Sequence, residues 1–220
     1  MAKTPSLSTY LDKRDFSESP EPRGEKEGES SSGEDPLFVI QKHDASNLHY
    51  DFRLEADGIL KSWAVPKGFS TDPSDKRLAL PTEDHPLEYA EFEGVIPEDE
   101  YGGGTVLVWD GGGYRNLKED EDGEAVPLSH QIESGHLTVW LEGDKIRGGY
   151  ALTRTSGSEG GKGDDDRWLL VKMDDEAADA RRNPVSTEPD SVLTGRSIEE
   201  VRKEEGGGND GKGDGDQGEG

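Results

Sequence analysis

The sequence predicts a mainly β domain, a barrel or a sandwich of seven to nine short strands, on three observations. From Leu48 the chain alternates strictly, with Leu48, Tyr50, Phe52 and Leu54 apolar or aromatic and His49, Asp51, Arg53 and Glu55 polar. That period of two is the period of a strand. Other short apolar or β-branched runs recur along the chain, each ended by Gly, Pro, Asp or Ser. Only 29% of the 220 residues are hydrophobic and 30 are Gly, so part of the chain is expected to stay disordered.

Taken in order, residues 1–36 read as a flexible arm. Within it, Leu7–Phe16 can form a short helix with Ser8 as its cap, and the stretch from Ser17 to Asp35 is too rich in Ser, Glu, Gly and Pro to bury a core. The domain proper is placed at 37–203. Leu37–Gln41 is a short strand leading into His43, and the alternating strand follows. Asp57-Gly58 is a two-residue hairpin turn, and Ile59–Val65 returns antiparallel. Arg77–Pro81 is a further strand, Leu87–Phe92 a strand or short helix, and Gly94–Gly104 an acidic, glycine-rich loop. Thr105–Trp109 is β-branched and buried in character, with a turn expected at Asp110–Gly113. Gly135–Leu141, Gly148–Thr153 and Trp168–Lys172 complete the strands, Ser156–Asp166 is a mobile hairpin loop, and Asp174–Arg182 can be a helix. The Gly/Asp-rich end, 204–220, is expected to be disordered.

The polar face of the alternating strand carries the chemistry. It presents an imidazole, a carboxylate and a guanidinium about 6 to 7 Å apart. His43, just before the strand, can fold back as a second imidazole, and two His with one carboxylate suffice to hold a divalent transition metal with open positions. Arg53 beside such a metal suits a phosphate, because its planar fork matches phosphate oxygens. The bland alternative is a solvated face of paired charges. His85, held extended by Pro86, can ligate the metal, bind a phosphate oxygen or donate a proton. His130 and His136 have no ligand-type neighbours and read as structural or surface residues, and Gly102–Gly104 fits no phosphate-loop spacing. From the residues alone three readings stay open: metal-assisted phosphoester hydrolysis, a β-barrel non-haem iron oxygenase with a His-x-Asp plus distant His set, and a binding module with a structural metal.

Bulk composition constrains these further. With no Cys, any metal must be held by His and carboxylates. No run approaches a membrane span and residues 1–10 lack an apolar signal core, so no membrane partner and a cytoplasmic location are expected. The net charge is −25, spread through the whole chain, which suggests a halophilic source in which salt screens self-repulsion. It also argues against broad nucleic-acid binding, which needs Lys and Arg against phosphates.

Long motifs then supply a resemblance. Phe38-Val39-Ile40-Gln41-Lys42-His43-Asp44-Ala45-Ser46, Leu48-His49-Tyr50-Asp51-Phe52-Arg53-Leu54-Glu55 and Leu60-Lys61-Ser62-Trp63-Ala64-Val65-Pro66-Lys67-Gly68 come first. Glu83-Asp84-His85-Pro86-Leu87-Glu88-Tyr89-Ala90, Phe92-Glu93-Gly94-Val95-Ile96-Pro97, Tyr101-Gly102-Gly103-Gly104, Trp168-Leu169-Leu170-Val171-Lys172 and Ser191-Val192-Leu193-Thr194-Gly195-Arg196-Ser197 follow. With Lys13-Arg14-Asp15-Phe16 and Pro20-Glu21-Pro22, roughly residues 8 to 201 resemble the 3′-phosphoesterase module of bacterial DNA ligase D and its stand-alone archaeal form.

The resemblance implies a compact β-barrel of about eight strands with short flanking helices. It also implies a manganese-dependent enzyme that trims DNA 3′ ends in repair and end joining, removing a terminal 3′ ribonucleoside and then the 3′ phosphate. On this chain it implies His43, His49 and Asp51 as metal ligands, with Arg53 and His85 on the scissile phosphate and Tyr89 beside it. Glu83, Lys67 and Arg77 would complete the surrounding site, the two cations helping to bind phosphate, and Asp15 and Glu21 of the arm would aid the diesterase step. The expected partners are 3′ ends at primer–template junctions, with a separately encoded ligase and polymerase, and the expected state is a monomer.

Overall fold

The computed structural model describes residues 7–24, 36–155 and 167–206. Nine strands are present among them: β1 (Leu37–Asp44), β2 (Leu48–Ala56), β3 (Ile59–Val65), β4 (Arg77–Pro81), β5 (Gly94–Ile96), β6 (Gly104–Asn116), β7 (His136–Gly143), β8 (Arg147–Thr155) and β9 (Arg167–Lys172). Eight of them pair antiparallel in the order β1-β2-β3-β4-β9-β8-β7-β6, and β6 returns to β1 to close the barrel, while β5 adds to β6 outside the ring. Closure leaves no free edge among the eight.

Side-chain alternation sorts residues between two cores. Phe38 and Ile40 of β1, Tyr50, Phe52 and Leu54 of β2, and Trp109 of β6 join the main cluster inside the barrel. The intervening Val39, Leu60, Val106 and Val108 belong to a second cluster with Tyr10, Tyr89, Phe92 and Ile96. One wall of the barrel, around β1 and β6, is therefore covered on both faces, which is why those strands read as continuous apolar runs rather than alternating ones. The covering layer is built from α1 (Ser8–Asp12) and the segment to residue 24, together with a 3-10 helix at Leu87–Glu91. Residues 7–24 fall in the span expected as a flexible arm, yet Tyr10 within them is fully buried and its hydroxyl donates to the Pro22 carbonyl at 2.5 Å. Leu7 rather than Ser8 precedes the helix, and no side chain caps it.

Several other local expectations are corrected. Strand β1 runs on through His43 to Asp44, so His43 sits directly opposite His49 in the ladder instead of folding back from a loop. Strand β6 passes straight through Asp110–Gly113, where a turn was expected. There it pairs with β1 on one side and β7 on the other, and a Cβ on Gly112 would meet the Glu142 carbonyl oxygen at 2.2 Å. These glycines serve close strand approach rather than reversal. Residues 174–182 form turns, not a helix, because Asp175 accepts from the Gly149 and Ala177 amides while Thr71 Oγ1 donates to the Asp179 and Arg182 carbonyls. Gly135 ends α2 (Leu128–Ser134), a helix not foreseen, instead of starting β7. The Asp57-Gly58 hairpin is as expected, with φ of 54° and 80°.

Two more helices follow β9: α3 (Pro184–Thr187) and α4 (Ile198–Glu205). A Ser197–Glu200 capping box starts α4, and Ile198 and Val201 join the barrel core. Glu204 and Glu205, expected in the disordered end, finish this helix, while 207–220 and the expected loop at 156–166 lie outside the described residues. No described helix is long and apolar enough to cross a membrane.

Candidate active site

The polar face of β2 is not the wet face that a lone amphipathic strand would have. Asp51, Arg53 and Glu55 are 6%, 2% and 5% exposed, with Tyr89 of the 3-10 helix covering Arg53. Such buried charge must be paired. It is paired here, through a network spanning β1, β2, β3 and the covering layer.

Arg53 is its centre. Its Nε donates to Gln41 Oε1 at 2.8 Å across the β1–β2 ladder, and its Nη1 donates to Ser62 Oγ at 3.0 Å on β3. Nη1 also meets His85 Nδ1 at 2.8 Å, and Nη2 donates to Asp51 Oδ2 at 3.0 Å. With His85 Nδ1 as acceptor, four of the five guanidinium N–H groups are engaged, and one on Nη2 is left for a ligand. The Tyr89 ring lies beneath, 4.8 Å from the guanidinium carbon. Gln41 is itself clamped by donating to the Tyr89 and Phe92 carbonyls.

Asp51 faces the two imidazoles, with His43 Nδ1 3.5 Å from Oδ2 and His49 Nε2 3.7 Å from Oδ1. One potential ligand atom from each of His43, His49 and Asp51 lies within 4.8 Å of the others. His49 Nδ1 is fixed on the Asn47 carbonyl at 2.9 Å, which orients the ring, and His43 Nε2 is buried without a hydrogen-bond partner. Two nitrogens and a carboxylate oxygen, with a buried imidazole nitrogen unsatisfied, suit a divalent transition metal. Burial alone would raise the Asp51 pKa, but Arg53 and the two imidazoles outweigh it and hold the carboxyl well below the usual range.

His85 is pinned by its backbone, which exchanges two hydrogen bonds with Leu60 of β3. Burial, then Arg53 and Arg14, push its pKa well below 6.5, so it is neutral at neutral pH, unlike a histidine near its natural pKa. Its Nδ1 lies 2.8 Å from both Arg53 Nη1 and the Glu83 carbonyl, and its Nε2 lies 3.3 Å from Arg14 Nη2. Accepting from Arg53 places the ring proton on Nε2; donating to Glu83 places it on Nδ1 and lets Nε2 accept from Arg14.

Arg14 is the residue that sequence reasoning missed. It donates from Nε to Glu21 Oε1 at 2.8 Å and from Nη1 to Glu83 Oε1 at 3.1 Å, and its guanidinium lies 3.9 Å over the Tyr10 ring. Arg14 also donates to the carbonyl of Tyr10, four residues before it, but nothing local in the sequence ties it to the cavity. Glu21 in turn accepts from the Tyr89 hydroxyl at 2.9 Å, which places it behind the cavity.

One cavity of about 140 Å³ gathers His43, His49, Asp51, Arg53, Glu83, His85 and Tyr89 of the expected set, with Arg14, Thr82 and Tyr101 added. The remaining expected residues do not line it. Asp15 is exposed and its carboxylate accepts from Ser17 N and Oγ. Lys67 is exposed in the turn that ends β3, and Arg77 pairs with Asp75 at 2.8 Å. His130 and His136 are both exposed, His136 against Thr153 Oγ1.

Comparison with known proteins bears on the same residues. The model of the DNA ligase D 3′-phosphoesterase domain matches residues 41–154. The multifunctional non-homologous end joining protein LigD of Pseudomonas aeruginosa is 48% identical over 200 residues, which is 90% of this chain and 22% of that protein. The LigD non-homologous end joining DNA repair protein of Mycobacterium tuberculosis is 45% identical over 167 residues, 76% of this chain and 20% of that protein. For LigD of Mycolicibacterium smegmatis the identity is 42% over 172 residues, 77% of this chain and 21% of that protein. The chain spans about a fifth of the length of these relatives.

Proposed function

This chain belongs to the DNA ligase D 3′-phosphoesterase domain family, and from that premise we propose that it heals DNA 3′ ends as a metal-dependent phosphoesterase. In this reading it removes a terminal 3′ ribonucleoside and then the 3′ phosphate, leaving a hydroxyl for a polymerase or ligase to use. The observation that carries it is the convergence of His43, His49 and Asp51 beside Arg53 and His85 in one cavity.

His43, His49 and Asp51 would hold a divalent cation, manganese in this proposal, which when bound supplies a Lewis acid for a phosphoryl oxygen. The protein's own groups do the rest. Arg53 offers the spare Nη2 N–H to a phosphate oxygen while Gln41, Ser62 and Asp51 hold its plane, so the donor needs no reorganisation when charge develops. Arg14 Nη2 and His85 Nε2, 3.3 Å apart, form a second donor pair once a phosphate oxygen accepts from both. That favours the His85 tautomer protonated on Nε2, whose neutral imidazole donates a hydrogen bond to a phosphate oxygen rather than transferring a proton. Glu83 and Glu21 keep Arg14 in place, and Tyr89, its hydroxyl tied to Glu21, acts as a floor under Arg53.

The test uses a primer–template carrying either a 3′ ribonucleoside or a 3′ phosphate, with manganese at low and high salt. Conversion to a 3′ hydroxyl is expected, lost in His49→Ala. In parallel, manganese at a hundredfold its dissociation constant should stabilise the protein by about 2.7 kcal/mol, and His49→Ala should lose that shift. No conversion in any metal or salt condition would overturn the reading.

A further inference from the structure

Tyr101 stands at the rim of the same cavity and has no part in the chemistry above. It is 48% exposed, a large aromatic ring beside buried, paired charges. Core packing does not account for it. Its place is fixed by a tight turn in which Glu100 N donates to the Pro97 carbonyl at 3.1 Å and Gly103 N to the Glu100 carbonyl at 3.0 Å. Its hydroxyl reaches Glu83 Oε2 at 3.4 Å, so the ring lies one side chain away from Arg14 and His85. Lys13 Nζ is 4.0 Å from the ring centroid and the Arg14 guanidinium 5.9 Å.

A half-exposed aromatic ring with cations over it, next to a phosphate-sized cavity, is the chemistry that receives a nucleobase. We propose that Tyr101 is a stacking platform for the base of the nucleoside attached to the phosphate in the cavity; this rests on the DNA-end reading above. The charge of the molecule gives the contact a purpose. With 50 Asp and Glu against 25 Lys and Arg, the net −25 repels the strand's phosphates, and stacking supplies affinity that does not depend on charge. Every base has a π-face, so the platform imposes no sequence preference.

The experiment measures fluorescence anisotropy of a short labelled strand ending in a non-hydrolysable 3′-phosphonate, with the manganese-loaded protein. Two strands are compared, one bearing its terminal base and one abasic at that nucleotide. Tyr101→Ala should weaken binding of the base-bearing strand about tenfold, while Tyr101→Phe and Tyr101→Trp stay within about twofold of the parent. On the abasic strand Tyr101→Ala and the parent should bind alike. Equal losses on both strands, or a loss in Tyr101→Phe as large as in Tyr101→Ala, would overturn the platform and assign the residue to its hydroxyl contact with Glu83. No effect of Tyr101→Ala on a strand the parent binds would overturn the inference alone. A parent protein that binds neither strand would overturn the DNA-end reading and this inference with it.

Discussion

Asp51 has to serve partners on two sides. Its Oδ2 accepts from Arg53 and faces His43, while its Oδ1 faces His49. On a wet strand face such a ligand would be removable at little cost to the fold. Burial changes that expectation. Asp51→Ala should abolish metal-dependent turnover and also destabilise the metal-free protein by about 3 to 5 kcal/mol, because the Arg53 charge stays buried without its partner. Chemical denaturation of the metal-free variant checks this, and an unchanged midpoint would mean that Arg53 is satisfied without Asp51. At this scale the sequence was most informative where ligand-type residues sit on one strand or one hairpin. His49, Asp51 and Arg53 could be grouped because strand spacing fixes their separation, while His43, expected to fold back, is instead set opposite His49 by the ladder. Arg14 could not, since its place depends on the arm docking against Glu83, a contact between residues 69 positions apart. Lys67 and Arg77, expected to help bind phosphate, do not line the cavity: Lys67 is exposed in the turn after β3 and Arg77 pairs with Asp75.

The elements were legible where one physical rule acted alone. Alternation on β2 and the Asp-Gly turn gave the β2–β3 hairpin, because a period of two and two positive φ values have few other solutions. Phe52 faces inward and is fully buried, with Trp63 and Phe69 rings at 6.2 and 5.1 Å. Phe52→Ala should therefore cost about 3 to 5 kcal/mol, and a normal melting curve would mean that the strand faces are exchanged. The elements misread were those decided by partners elsewhere. Asp110–Gly113 has turn composition, yet β1 and β7 pair across it, and 174–182 has helix composition, yet Asp175 and Thr71 capture its backbone. A similar side-chain knot ties the segment before α4 to the barrel. Glu93 accepts from Val108 N, Ser191 Oγ, Thr194 Oγ1 and Arg196 Nη2. Burial pushes its pKa up, but these donors outweigh it and hold the carboxyl below its usual value. The sign follows from linkage: the contribution is fully present above the unfolded carboxylate pKa near 4.3 and is lost as pH falls through the lower folded value. Glu93→Gln should thus lower stability at neutral pH and flatten its decline between about pH 4.5 and the acid limb, read from denaturant midpoints across that range. A variant with the parental acid profile would place the titration elsewhere.

At the scale of the whole molecule, barrel closure and overall charge pull against each other. The β1–β6 pairing closes the ring and packs the described strands of a chain of net −25 into one body, so self-repulsion among them acts on the folded state more than on the extended one. Closure itself was expected, since many short strands with turn-rich connections favour a barrel or sandwich, but which strands meet at the seam was not, because β1 and β6 are joined by no local turn. Salt should act in opposite directions on stability and on binding. Screening has a Debye length of about 10 Å at 0.1 M and 3 Å at 1 M, so added salt should raise the melting temperature steadily. DNA binding should weaken, but only slightly. The cavity offers Arg14 and Arg53, with Lys13 beside its rim, so a single strand releases few counterions and the slope of log K on log salt should be about −1 to −2. Differential melting and anisotropy over the same salt series measure both. Melting that falls with salt would show that the paired networks, rather than the net charge, govern stability. A binding slope several times steeper would require a basic surface beyond the cavity, and the strand would then not be held by its end.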